Sequence, residues 1–228
     1  MLNQKKFILK IKFSSLALAL GLFLNQGCTT MNLLKSKELS SPNKENPIQN
    51  SALIIVDLQN DFCPKGSLAV KDGDKIIPTV NTLIKKYKAS GSPIYATRDW
   101  HPPNHTSFKN SGGPWPIHCV QNTPGAAFHP DLMIDQAVVI SKGTLVDEEA
   151  YSGFNGTDLE KKLKKEGITN LTVCGLATDY CVKATVIDGI NAGFSVTVIR
   201  EGIRGVNVEP EDSKKALDEM EAAGATIN

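Results

Sequence analysis

From residue 51 onward the chain alternates short apolar, β-branched runs with stretches of helical periodicity, and that alternation leaves few folds open. Ala52-Leu-Ile-Ile-Val56 is an unbroken apolar run, as expected of a strand covered on both faces. Residues 75–89 then carry Ile76, Ile77, Val80, Leu83, Ile84 and Tyr87 at helical spacing. Residues 92–97, 137–140, 170–174 and 195–199 read as further strands, and 225–228 as a short last one. Between them lie helical stretches at 157–166, closed by Gly167, and at 209–223. Another helix begins at Thr178 and buries Val182, Val186 and Ile190. Strands that alternate with helices imply a parallel sheet with helices on both faces and right-handed crossovers. The expected class is α/β: three layers, αβα, with a mostly parallel sheet of five or six strands. The stretch from 51 to 228 is long enough for one domain with a full core.

The residues before it do not read as part of that domain. Lys5, Lys6, Lys10 and Lys12 precede the apolar run Leu16-Ala-Leu-Ala-Leu-Gly-Leu-Phe-Leu24, and Gly27-Cys28 follows. A basic start, a short apolar core and a small residue describe a secretory signal over 1–27. The run is short for a membrane span, which needs about 20 apolar residues. Gly27-Cys28 resembles the end of a lipoprotein box, with Cys28 as lipid acceptor, although Asn25 departs from it; a plain signal peptide or an uncleaved anchor is the alternative. Residues 28–50 are rich in Ser, Asn, Lys and Pro, and such a stretch cannot bury enough surface to offset its ordering entropy, so it reads as a flexible tether. The expected location is outside the cytoplasm, periplasmic or held at the membrane by lipid on Cys28.

In an open α/β sheet the functional crevice lies beyond the carboxyl ends of the strands. Asp57 follows the first strand, Asp99 and His101 the second, Lys142 the third, and Gly175 to Cys181 the fourth. With Thr178 as N-cap, Cys181 falls in the first helical turn, whose free N–H groups and partial positive charge lower a thiol pKa and hold an oxyanion. From position alone a buried core cysteine is an equal alternative. Asp57 suits proton transfer with that thiol, or else caps a turn; Lys142 suits stabilising a thiolate, or else is a surface lysine. Asp99, His101 and His118 form a carboxylate-imidazole set suited to a divalent metal, and His105 is either a fourth ligand or a neighbour. His129 is incidental. The segment 99–130, rich in Pro, Gly, His and Asn and holding both tryptophans, Trp100 and Trp115, is a long loop of the kind that carries function.

These residues stand in stretches that resemble the nicotinamidase/pyrazinamidase branch of the isochorismatase-like cysteine hydrolases. The stretches are Val56-Asp-Leu-Gln-Asn-Asp-Phe62, Thr97-Arg-Asp-Trp-His-Pro-Pro-Asn-His105, Gly113-Pro-Trp-Pro-Ile-His-Cys-Val120, Lys142-Gly143, Tyr151-Ser-Gly-Phe154 and Gly175-Leu-Ala-Thr-Asp-Tyr-Cys181. The resemblance implies a Rossmann-like fold and an Asp57, Lys142, Cys181 triad. It implies a divalent metal on Asp99, His101 and His118, with zinc first and iron or manganese also compatible. It implies an aromatic substrate ring between Phe62 and Trp115 near Tyr151, and an oxyanion hole from the N–H groups of Ala177 and Cys181. It further implies a cis peptide between Leu176 and Ala177, and deamidation of nicotinamide, and of pyrazinamide, through a thioester. The leader is a departure, since such enzymes are typically cytoplasmic.

The partner expected is a small amide. An isochorismatase or a carbamoyl-amide hydrolase of the same fold is the nearest rival, and the resemblance disfavours both because it assigns the Asp99, His101, His118 metal to the nicotinamidase branch. A metal- or ligand-binding lipoprotein without turnover is a rival of another class. No G-x-G-x-x-G follows the first strand, against a nucleotide-binding reading. With a formal charge of +1 and no basic stripe, nucleic acid is not a partner. A membrane enters only through the lipid on Cys28, and the sequence leaves room for a homo-oligomer. Cys63 and Cys119 are expected to stay free.

Overall fold

The structure, a computed structural model, describes residues 48–228. The expected signal at 1–27, the acceptor Cys28 and the tether up to residue 47 lie outside the described residues. The tether does not extend to residue 50: Ile48 is buried in the core, and the carbonyl of Asn50 accepts the N–H groups of Thr169 and Asn170.

Six strands form one sheet: β1 (Ser51–Val56), β2 (Ile94–Asp99), β3 (Val138–Lys142), β4 (Asn170–Leu176), β5 (Ser195–Arg204) and β6 (Thr226–Ile227). Their order is β3-β2-β1-β4-β5-β6 and every pairing is parallel. Four helices cover it: α1 (Ile77–Ser90), α2 (Leu159–Lys165), α3 (Lys183–Asn191) and α4 (Asp212–Ala222). Side chains alternate across a strand, and β1 divides accordingly. Leu53 and Ile55 pack with Val80, Ile84 and Tyr87 of α1. Ala52, Ile54 and Val56 pack with Leu159 and Leu163 of α2, Val186 of α3 and Met220 of α4. This is why β1 is buried over its whole length.

The chain builds outward from β1 to β3, then crosses to β4 on the other side, so strand order reverses between β1 and β4. That reversal opens a crevice at their carboxyl ends. Gly175 sets the spacing there. Its φ is +122°, and a β-carbon on it would stand 2.0 Å from the Val56 carbonyl oxygen. A residue with a side chain would push β4 away from β1 beside Asp57.

Candidate active site

Asp57 leaves β1 with φ +46°, and Asp99 and Lys142 are the last residues of β2 and β3, paired in register. The three side chains meet with Cys181 below the crevice. Thr97 Oγ1 donates to Asp57 Oδ1 at 2.7 Å. The Lys142 ammonium is buried, 2.9 Å from Asp57 Oδ2. It donates to Asp99 Oδ1, to the Ala150 carbonyl at 3.1 Å and to Cys181 Sγ at 3.5 Å. Asp57 Oδ2 contacts the ammonium without the angles of a hydrogen bond and accepts none among the described residues. A carboxylate oxygen from each aspartate and the Cys181 sulfur lie within 4.8 Å of one another. Asp57 therefore keeps a free acceptor in reach of the thiol.

Two carboxylates share one ammonium in a dry site, and the charges follow from that. Burial opposes the charged Lys142, but Asp57 and Asp99 outweigh it and hold the lysine well above its ordinary pKa. Burial also works against the Asp99 carboxylate, and there Lys142 and His101 win, holding it well below the usual range. Burial pushes the Asp57 carboxyl up; Lys142 offsets only part of this, and the charge of Asp99 adds to it. Burial pushes the Cys181 thiol well above its ordinary value, against the pull of Lys142 and with a push from both aspartates. The lowered thiol pKa expected from a helix start is thus reversed. Cys181 rests as a thiol beside a carboxylate of raised pKa.

The helix start itself also differs from expectation. Thr178 is not the cap; Ala177 is, in extended conformation, and Thr178–Val182 form a π-turn before α3. The Ala177 carbonyl accepts the N–H of Tyr180 and of Val182, both at 3.1 Å, and passes over Cys181 between them. A cis peptide joins Leu176 to Ala177. In this turn Asp179 is buried, and its two oxygens accept the N–H groups of Val206 at 2.9 Å and Asn207 at 2.7 Å. One carboxylate therefore ties the turn carrying the thiol to the loop after β5.

Asp99 Oδ2 faces the other way, 3.6 Å from His101 Nε2 and 3.8 Å from His118 Nε2. The His101 Nδ1–H donates to the Gly143 carbonyl and the His118 Nδ1–H to the Pro116 carbonyl, each at 2.8 Å. A carbonyl only accepts, so both rings carry a proton on Nδ1, which leaves Nε2, the atom that faces Asp99, to serve as a metal ligand. Burial lowers the His118 pKa, keeping it neutral. Burial works against the charged form of His101 as well, but its interaction with Asp99 outweighs burial and raises that pKa. Three buried donors within 4.8 Å, with ring orientation fixed from behind, fit a divalent ion. Gly143 allows this closeness: its φ is +57° and a β-carbon there would stand 2.5 Å from His101 Cε1.

His105 is not brought into this group. Its Nε2–H donates to the Glu148 carbonyl at 3.1 Å, its Nδ1 takes the Ser107 hydroxyl at 2.7 Å, and its ring stacks on His101 at 4.0 Å. No lone pair remains for an ion, so it supports His101. His129 stands apart, near Asp131.

Above the thiol opens a narrow cavity lined mostly by apolar and aromatic side chains. Phe62, Trp115 and Tyr151 line it as expected, as do Cys181 and Ala177. Trp115 Nε1 donates to the Tyr151 hydroxyl at 2.9 Å. The sequence reading missed Tyr180, packed edge-on to Trp115 at 5.0 Å, and the lining residues Val206 and Glu149. It also missed Gln59 and Asp61, although both lie between Val56 and Phe62; Asp61 Oδ2 accepts the N–H of Cys119, next to His118, at 2.7 Å. Cys63, Cys119, Cys174 and Cys181 are all free.

Comparison with known proteins agrees with this geometry. The isochorismatase domain model matches residues 51–228. The nicotinamidase of Escherichia coli K12 is 45% identical over 199 residues, covering 77% of this chain and 93% of that protein. The crystal structure of the pyrazinamidase of Pyrococcus horikoshii in complex with zinc is 54% identical with a TM-score of 0.75, covering 78% of this chain and 98% of that one. PnC1 from L. infantum in complex with nicotinate is 35% identical with a TM-score of 0.73, covering 78% of this chain and 91% of that one. The chain belongs to the isochorismatase family.

Proposed function

We propose that this protein is a nicotinamidase, a cysteine amidohydrolase that converts nicotinamide, and pyrazinamide, to the carboxylate and ammonia. The observation that carries the reading is the Lys142 ammonium, 2.9 Å from Asp57 and 3.5 Å from the Cys181 sulfur beneath an aromatic cavity. The relatives named nicotinamidase and pyrazinamidase support the substrate.

Asp57 takes the proton of the Cys181 thiol as sulfur attacks the carboxamide carbon. The N–H groups of Ala177 and Cys181 receive the oxyanion; such a donor contributes about 3 kcal/mol. Asp57 returns the proton to the departing nitrogen, which leaves as ammonia while the acyl group stays on sulfur. Asp57 then deprotonates a water, which attacks the thioester, releases the carboxylate and restores the thiol. Lys142 stays charged throughout and balances Asp57. Phe62, Trp115 and Tyr151 hold the ring. Asp99, His101 and His118 would hold the divalent ion, and the zinc-bound relative supports zinc. When bound, that ion supplies a Lewis-acid anchor for the ring nitrogen of the substrate.

Ammonia release from nicotinamide tests the reading. Wild type should turn over, Cys181→Ala should not, and a chelator should abolish activity that added zinc restores. Wild type as inert as Cys181→Ala on nicotinamide and pyrazinamide would leave a binding protein instead.

Export is the second part of the proposal. The lysines before residue 13, the apolar run 16–24 and Gly27-Cys28 support it. Labelled palmitate should enter the protein and fail to enter Cys28→Ala.

A further inference from the structure

We infer that Glu149 is a specificity-determining residue, whose carboxylate on the cavity wall disfavours anionic ligands and so separates the neutral amide from its carboxylate product. The inference rests on the amidase reading. Glu149 lines the same cavity as Cys181, Trp115 and Tyr151. Its Oε1 accepts the N–H of Ala150 at 3.1 Å, and the carbonyl of that same Ala150 accepts the Lys142 ammonium at 3.1 Å. This contact places the half-buried carboxylate at the wall.

What sets Glu149 apart is that no basic side chain pairs with its charge. The other acid lining the cavity, Asp99, is paired with Lys142. Lys142 lies behind the thiol and is shared with Asp57. Among the described residues no lysine or arginine lines the cavity and Glu149 has no ion-pair partner. Asp147 and Glu148, which precede it, are exposed and acidic and bring no counter-charge.

The reaction changes one property of the ligand above all. A carboxamide is uncharged, whereas the product acid, with a pKa near that of other carboxyls at about 4, is an anion at neutral pH. A fixed negative charge on the wall leaves the first almost untouched and repels the second. Substrate is retained and product expelled at a site that must bind the same ring in both.

Calorimetric titration of nicotinate into the metal-loaded wild type and into Glu149→Gln tests this, with nicotinamide titrated into both on a Cys181→Ala background. Glutamine keeps the acceptor for Ala150 and removes only the charge. The variant should bind nicotinate about three- to tenfold more tightly, the size expected of one partly screened charge several ångströms away. Its affinity for nicotinamide should move less than twofold. Added salt should tighten nicotinate binding to wild type and not to the variant. Equal shifts for both ligands, or an unchanged nicotinate affinity in a protein that hydrolyses nicotinamide, would overturn the role of Glu149 alone. Absence of ammonia release by wild type would overturn the amidase reading and this inference with it.

Discussion

Gln59 holds the backbone of Asp99 at both of its polar groups: its Nε2 donates to the Asp99 carbonyl at 2.8 Å, and its Oε1 accepts the Asp99 N–H at 2.8 Å. The same Nε2 donates to the Ala126 carbonyl at 2.9 Å, and the side chain is fully buried. The position of the Asp99 carboxylate thus depends on a residue two places after Asp57. Gln59→Ala orphans buried backbone groups at about 1–3 kcal/mol each. It should lower the melting temperature and weaken metal retention by about tenfold or more. Metal content after dialysis, measured beside thermal denaturation, checks both.

The two-to-one balance of carboxylates over ammonium predicts opposite behaviour for its members. Lys142→Met leaves Asp57 and Asp99 facing each other without a counter-charge, and removing one partner of a buried pair costs about 3–5 kcal/mol. Asp57→Asn removes one of two like charges, so its stability should stay much closer to wild type. Both should lose ammonia release. Chemical denaturation of the two variants separates the electrostatic from the catalytic effect.

Asp179 predicts a split between binding and chemistry. Asp179→Ala frees the N–H groups of Val206 and Asn207 and loosens a cavity wall, destabilising by about 1–3 kcal/mol. KM should rise more than kcat falls, because Val206 lines the cavity while the triad stays intact. Asp179→Asn, which keeps one acceptor, should recover part of KM.

The cysteines predict an alkaline limit. Burial, with the charge of Asp74 adding to it, pushes Cys63 up to about 11, and burial holds Cys119 and Cys174 higher still. A thiol whose folded pKa exceeds its unfolded value stabilises the fold fully below the unfolded pKa, about 8.5. That contribution is lost as pH rises through the folded value. The melting temperature should hold between pH 7 and 8.5 and fall between pH 9 and 11. Iodoacetamide at pH 8 should modify Cys63, Cys119 and Cys174 only after unfolding.

The layers, the parallel sheet and the meeting of Asp57, Asp99, Lys142 and Cys181 were legible because period-two and helical patterns mark where strands end, and strand ends converge. The wide turn at Thr178 was not, since Val182, Val186 and Ile190 repeat identically whether the first turn is α or π. Nor was the direction of the Cys181 pKa, because a helix start is local while burial is supplied by segments far along the chain. In the motif containing Gln59 the acid and the aromatic ring carry chemical signals, whereas an uncharged amide gives none until its partners are known. Glu149, Tyr180 and Val206 reach one cavity from three separate segments, a coincidence that no spacing encodes.

Asp99 sends one oxygen to the Lys142 ammonium and the other toward two imidazoles. Any replacement there strips a donor from the ion site and abandons a buried ammonium in the same stroke. Among variants of this chain, position 99 should therefore be the least forgiving: neighbours on either side lose one centre when changed, and this one forfeits both.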